Sequence, residues 1–167
     1  ITNADDIKKA REKFAAGYQD VYKKPCNLKA ITWEEIRAVK QKFKRQLNGE
    51  MGLEIDHNKP LVTYAGRLVS VKAGRRAFTE ENLRKLVRDG KQILIAGRVQ
   101  ATNDSEFLEK MLGDLIHEFK ANPQMYPGKL FFITQFTNEQ KDLILMATDL
   151  LVLDSDDKTG TCEFTEV

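Results

Sequence analysis

Apolar residues from residue 60 onward fall into two patterns that alternate along the chain. Short continuous runs indicate buried strands, because a strand covered on both faces has no exposed positions that must be polar. Between these runs, apolar residues recur every three or four positions in a charged background, which predicts helices beginning near residues 79, 104 and 137. The predicted strands are Leu61–Ala65, Ile93–Gly97, Leu130–Thr134 and Leu150–Leu153.

This strand–helix alternation restricts the possible folds. Strands joined by helical crossovers lie parallel, and right-handed crossovers place the helices against the faces of the sheet. The sequence therefore predicts an α/β domain with a Rossmann-like parallel sheet and flanking helices, preceded by N-terminal helices.

Two amphipathic helices are predicted before the first strand. The first covers residues 4–24 and ends at Lys23-Lys24-Pro25, and a linker follows. The second begins at Thr32, which has the Thr-x-x-Glu spacing of a capping box, and weakens or ends at Asn48-Gly49. Trp33 could stack on a ligand, but we expect it to pack in the core or as a hydrophobic staple near the helix start. The resulting division is an N-terminal helix with its linker over 1–31 and the α/β domain over 32–167.

Composition narrows the class of protein. The 167 residues suffice for one α/β domain, and 27 Lys and Arg against 25 Asp and Glu leave a charge of +2, too balanced to indicate nucleic-acid binding. No apolar run approaches the roughly 20 residues that cross a bilayer, so no membrane partner is predicted. Cys26 and Cys162 lack metal-ligand or redox spacing, which favours reduced thiols and a cytoplasmic location. Because the chain starts at Ile1 and stops at Val167 where a helix should continue, we interpret it as a piece of a larger protein.

The candidate chemistry follows the first predicted strand. We expect Gly66 to end that strand, and Arg67 and Lys72 come directly after it. Loops at the carboxyl ends of parallel strands line the ligand crevice of open α/β sheets, so both cations would face it. Two fixed cations in that place suit a diphosphate.

The same segment carries a resemblance to a known family. It resembles the Gly-Arg-Leu-x-x-x-Lys-x-Gly loop that opens the donor-binding domain of GT-B glycosyltransferases, most closely the glycogen/starch synthase group. Here it stands as Gly66-Arg67-Leu68-Val69-Ser70-Val71-Lys72-Ala73-Gly74. The resemblance covers about residues 33–167 and includes the Ala147-Thr148-Asp149 that precedes the last strand.

The resemblance implies a retaining hexosyltransferase reaction. The donor would be ADP- or UDP-glucose and the acceptor an α-glucan or other glycan, with the acceptor residues in an N-terminal half that this chain lacks. The full-length protein would then be the enzyme, and this chain alone at most a weak nucleotide binder.

The resemblance also implies roles for individual residues. Arg67 and Lys72 would neutralise the diphosphate as the catalytic cations, and the predicted site is independent of metal and of any cofactor beyond the donor. Related enzymes carry two acidic residues in the last loop, and the first of them would fall on Lys158. The sequence departs from the family there, which argues against a simple assignment of glucose as the donor sugar. The other positions implied to bind the donor are Gly66, Gly97, Phe136 for base stacking, Thr159, Gly160, Thr161, and Glu166 at the second acidic position.

Two alternatives stay open. A catalytically silent GT-B-like domain that serves as a nucleotide-binding or interaction module is supported by Lys158. An NAD-binding Rossmann oxidoreductase module would need Gly-x-Gly-x-x-Gly after the first strand and an acidic residue ending the second, whereas the second strand ends in Gly97-Arg98.

Overall fold

A computed structural model describes residues 4–68, 79–99 and 103–152 and confirms the predicted fold class: a parallel α/β sheet flanked by helices. No helix in these ranges has the length and apolar content needed to cross a membrane. The elements in chain order are α1 (Ala4–Tyr22), α2 (Trp33–Met51), β1 (Leu61–Leu68), α3 (Glu80–Arg88), β2 (Gln92–Val99), α4 (Asn103–Ala121), β3 (Lys129–Ile133), α5 (Asn138–Ala147) and β4 (Leu150–Val152).

The strand order in the sheet is β3-β2-β1-β4. β1 therefore lies between β2 and β4 and pairs with both in parallel. The chain first moves outward from β1 through β2 to β3, and then α5 carries it back to place β4 on the other side of β1. This reversal is the feature of doubly wound sheets that creates a ligand crevice.

Apolar clusters cover both faces of the sheet, which explains the continuous apolar runs in the sequence. On one face, β1 and β2 contribute Tyr64, Ile93 and Ile95 to a cluster with α3 and α4. On the other face, Leu61 and Leu94 join residues of α1, α2 and α5. The helical members of the two clusters include Leu83, Val87, Leu112 and Leu115 on the first face and Tyr18, Val39, Leu47 and Ile144 on the second.

Helix α1 packs directly on α2 and α5. The Tyr18 ring is buried, and its hydroxyl donates to a carboxylate oxygen of Glu35 at 2.7 Å. Gly17 faces the Phe43 ring so closely that an added Cβ would lie 2.5 Å from Cζ of that ring. Through these contacts α1 is attached to α2.

Helix α2 begins as predicted but ends later. Thr32 and Glu35 form the predicted capping box, which is therefore confirmed. The helix does not end at Asn48-Gly49, which was one of the two outcomes expected there; it continues to Met51 and stops at Gly52, which takes the left-handed conformation with φ 64°. The Asn48 side chain explains the difference, because it exchanges hydrogen bonds of 2.8 and 2.9 Å with the backbone of Ile55 and so supports the last turn.

Trp33 does not pack in the core, contrary to the expectation from its place near the helix start. Its exposed fraction is 79%. Trp33 is the first residue of α2 and lies roughly 9 Å along the helix axis before Val39, the first buried residue, so it precedes the part of the helix that is buried. Phe107 of α4 is another large apolar residue that is exposed, at 66%.

An ion pair between a buried lysine and a solvent-accessible carboxylate joins α2 to the amino ends of β1 and β4. The Lys44 ammonium lies 2.5 Å from an Asp149 carboxylate oxygen and also donates to the Lys59 carbonyl at 2.7 Å. The same Asp149 oxygen accepts the Leu61 backbone N–H at 2.7 Å, and the Asp149 N–H donates to the Leu61 carbonyl at 3.0 Å. The Asp149 that supported the family resemblance is thus a structural anchor between β1 and β4.

We expect Lys44→Ala to lower the free energy of unfolding by about 1.5–3 kcal/mol, because it removes the charged hydrogen bonds that the buried ammonium donates to the Asp149 carboxylate and the Lys59 carbonyl. Urea unfolding measures this change. The matched control is Lys42→Ala on the same helix, whose ion pair with Asp20 lies at the surface and should matter far less. Equal losses in the two variants would contradict the anchoring role.

Two glycines give opposite predictions for substitution by alanine. A Cβ at Gly128 would lie 2.6 Å from the Val87 carbonyl oxygen and 2.9 Å from the Lys91 nitrogen, so Gly128→Ala should cost about 1–3 kcal/mol of unfolding free energy. At Gly113, inside α4, nothing lies within 4 Å, so Gly113→Ala should add about 0.5–1 kcal/mol by removing chain entropy from the unfolded state. Thermal unfolding of both variants checks the pair, and a change of the same sign in both would refute this packing.

Candidate functional site

The topology identifies one position in the sheet for a ligand crevice. The strand order reverses between β1 and β4, and ligands of open parallel sheets bind outside the carboxyl ends of the strands at such a reversal. In the sequence, residues 69–78 follow β1 and residues 153–167 follow β4. These are the segments that carry most of the predicted donor-site residues.

Gly66 and Arg67 lie inside β1 rather than in a loop, so the prediction that Gly66 ends the strand is wrong. β1 continues to Leu68, and β2 likewise runs past Gly97 to Val99. The parallel register pairs Gly66 with Gly97, and both glycines are buried. Glycine weakens a strand by itself, but two neighbouring strands that keep pairing through both glycines compensate for this.

The same register places two arginines side by side at the carboxyl end of the sheet. Arg67 of β1 is the Cα partner of Arg98 of β2, one residue before each strand ends. The sequence pointed to Arg67 through its motif, whereas Arg98 served only as an argument against NAD. The signal that could have paired them is the repeated Gly-Arg at the ends of two strands of equal length.

Phe136 lies at the carboxyl end of β3, just before α5. Its ring is half-buried and packs against the cluster on the face covered by α2 and α5. Packing against this cluster therefore covers part of the Phe136 ring. Stacking of a base on the rest of the ring stays a prediction.

The N-terminus of α5 opens at the same edge of the sheet. The Thr137 side chain accepts the Gln140 N–H at 3.2 Å and the Gln140 side chain accepts the Thr137 N–H at 2.9 Å, so a capping box opens the helix that the sequence predicts from about residue 137. Hydrogen bonds from its own backbone N–H and from the Thr137 hydroxyl lower the pKa of Glu139 below its ordinary value. The start of α5 therefore favours negative charge near the carboxyl edge.

Several predicted site residues cannot be assigned a place. Lys72 and five positions of the last segment lie outside the described residues. These five are Lys158, Thr159, Gly160, Thr161 and Glu166. Within residues 4–68, 79–99 and 103–152, no three His, Cys, Asp or Glu side chains come together as metal ligands would.

A cavity of about 450 Å³ lies at the opposite end of the sheet. It is bounded by the loop after α2, the end of α4 and the strand β3, with Leu53, Phe119 and Phe132 in its wall. The Lys129 ammonium at its border donates to the Glu54 carbonyl at 2.7 Å. This cavity adjoins the amino end of β3, so it is separate from the carboxyl edge and contains none of the predicted donor-site residues.

Comparison of the sequence with protein-family models gave no match, and comparison with curated proteins gave none either.

We expect the carboxyl carbon of Glu139 to titrate below the ordinary 4.5 in an NMR pH series. Because this pKa is lowered in the folded state, the carboxylate stabilises the fold above the ordinary value, and that stabilisation is lost as the pH falls through the lowered pKa. Thr137→Ala removes one of the two hydrogen bonds and should raise the midpoint. A midpoint at or above the ordinary value in the unaltered chain would contradict the geometry at the start of α5.

Proposed function

We propose that this chain is the donor-binding part of a retaining glycosyltransferase of the glycogen/starch synthase type. The parent enzyme would transfer a sugar, glucose by analogy, from an ADP- or UDP-sugar to an α-glucan or other glycan. The observation that carries the proposal is the position of Arg67 at the carboxyl end of the central strand, beside the reversal of strand order. A motif read from the sequence and a crevice deduced from topology thus coincide at one residue.

The chemistry at this position is electrostatic. When the glycosidic bond of a nucleoside-diphosphate sugar breaks, negative charge accumulates on the leaving diphosphate, and fixed cations stabilise it in the transition state. Arginine suits this task because its planar fork donates two parallel hydrogen bonds to a phosphate. Arg67, with Lys72 from the following segment, would supply that stabilisation.

The remaining parts of the proposal follow from the resemblance and the composition. Acceptor binding and transfer require a separate N-terminal half, so the enzyme is the parent protein and this chain contributes donor binding. The two isolated cysteines favour a reducing compartment, and we propose the cytoplasm. Neither nucleic acid nor membrane is needed as a partner.

The second candidate is a silent domain of the same fold that binds a nucleotide or a protein without catalysis. Lys158 favours it, because an ammonium group cannot accept the sugar hydroxyl hydrogen bonds that a carboxylate accepts. An NAD-binding module is less favoured, because β2 ends in Arg98-Val99 where such modules carry an acidic residue for the ribose.

The deciding experiment is calorimetric titration of the chain with ADP, UDP and NAD. We expect saturable binding of one nucleoside diphosphate, and Arg67→Ala should weaken it roughly ten- to hundredfold, since a hydrogen bond to a charged group contributes about 1.5–3 kcal/mol. Arg45→Ala, an exposed arginine on α2, is the matched control and should bind as the unaltered chain does. Binding of NAD alone, or equal affinity in the Arg67 variant, would refute the donor-site proposal.

Phe136→Leu separates stacking from packing at the proposed base site. Leucine fills much of the same space, so the free energy of unfolding should change by less than about 1.5 kcal/mol. Loss of the aromatic face should weaken nucleoside-diphosphate binding roughly tenfold, because stacking contributes about 1–3 kcal/mol per base. Unchanged affinity in a variant that unfolds normally would restrict Phe136 to a packing role.

A further inference from the structure

We propose that Arg98 is a second phosphate-binding residue of the donor site and acts together with Arg67. This inference rests on the proposed function and extends the site to a residue that the family motif does not contain. It depends on the strand register, which pairs the two arginines at the carboxyl end of β1 and β2.

The register fixes the relative position of the two residues. Neighbouring parallel strands lie roughly 4.8 Å apart, and register partners share one level and one face of the pleat. Positions 67 and 98 thus lie one strand spacing apart at the edge where ligands of such sheets bind. Gly66 and Gly97, the preceding register pair, are buried and belong to the regular strands, so the positions of the two arginines are set by the sheet and not by a loop.

Charge supplies the second argument. Like charges at paired positions of neighbouring strands repel and lower the stability of the sheet. An anion held at positions 67 and 98 would remove that repulsion. Two positive charges one strand apart also match a ligand with two charged groups in a row, which is a diphosphate and not a monophosphate.

The pair predicts a difference between diphosphate and monophosphate ligands. In a bound diphosphate, Arg67 would contact one phosphate and Arg98 the other. Removing the Arg98 side chain should therefore weaken diphosphate binding more than monophosphate binding. Arg98→Ala should weaken binding of the nucleoside diphosphate at least tenfold and that of the corresponding monophosphate less than threefold. The ratio of the two affinities therefore falls in this variant.

The experiment titrates the full 167-residue chain and its variants with ADP and AMP, and with UDP and UMP. Arg98→Lys keeps the charge but not the fork and should give an intermediate ratio, while Arg45→Ala should leave the ratio unchanged. Thermal unfolding without ligand provides a second readout, in which Arg98→Ala should melt no lower than the unaltered chain because it removes a repulsion. If Arg98→Ala does not fold, the charge argument is wrong and the proposal falls.

The outcomes separate this inference from the proposed function. If Arg67→Ala loses diphosphate binding while Arg98→Ala keeps the original ratio, the donor site stands and Arg98 is not part of it. If the unaltered chain binds no nucleoside diphosphate, both proposals fail. A lowered ratio in Arg98→Ala with normal monophosphate binding supports both.

Discussion

The pairing of β1 with a strand on each side is the constraint on which the rest of the structure depends. β1 is in register with β2 over its whole length, from Leu61 to Leu68, and with β4 at Val62, Thr63 and Tyr64. Asp149 stabilises the pairing of β1 with β4, because its backbone and its side chain both form hydrogen bonds with Leu61. Its carboxylate also forms an ion pair with the buried Lys44. The position of β1 between β2 and β4 creates the reversal of strand order, and open parallel sheets bind ligands at such a reversal.

Periodicity and capping chemistry were sufficient to predict most of the fold. The parallel sheet, the two capping boxes and the covering of both faces follow from apolar runs and from Thr residues three positions before Glu35 and Gln140. The errors in the element boundaries have a common cause, since each arises where a tertiary contact outweighs a local preference. Asn48 prolongs α2 through its bonds to Ile55, and strand pairing carries β1 and β2 through glycines that end strands elsewhere.

The candidate site was only partly predictable for a related reason. A motif identifies residues along one segment, and Arg67 could be found in that way. Arg98 could not, because its importance arises from the register between two strands that are far apart in the sequence. Trp33 illustrates a different error, in which a residue type typical of cores is exposed because it stands at the first position of its helix, before the buried part begins.

The measurement that tests the central claim most directly is the map of backbone amide shifts when ADP or UDP is added to the isotope-labelled chain. The account predicts saturable shifts concentrated at Gly66, Arg67, Gly97 and Arg98, where β1 and β2 end. Shifts concentrated instead around Leu53, Phe119 and Lys129, at the cavity beside the amino end of β3, would contradict it. Such a result would move the ligand site to the other end of the sheet and leave the two arginines without a role in binding.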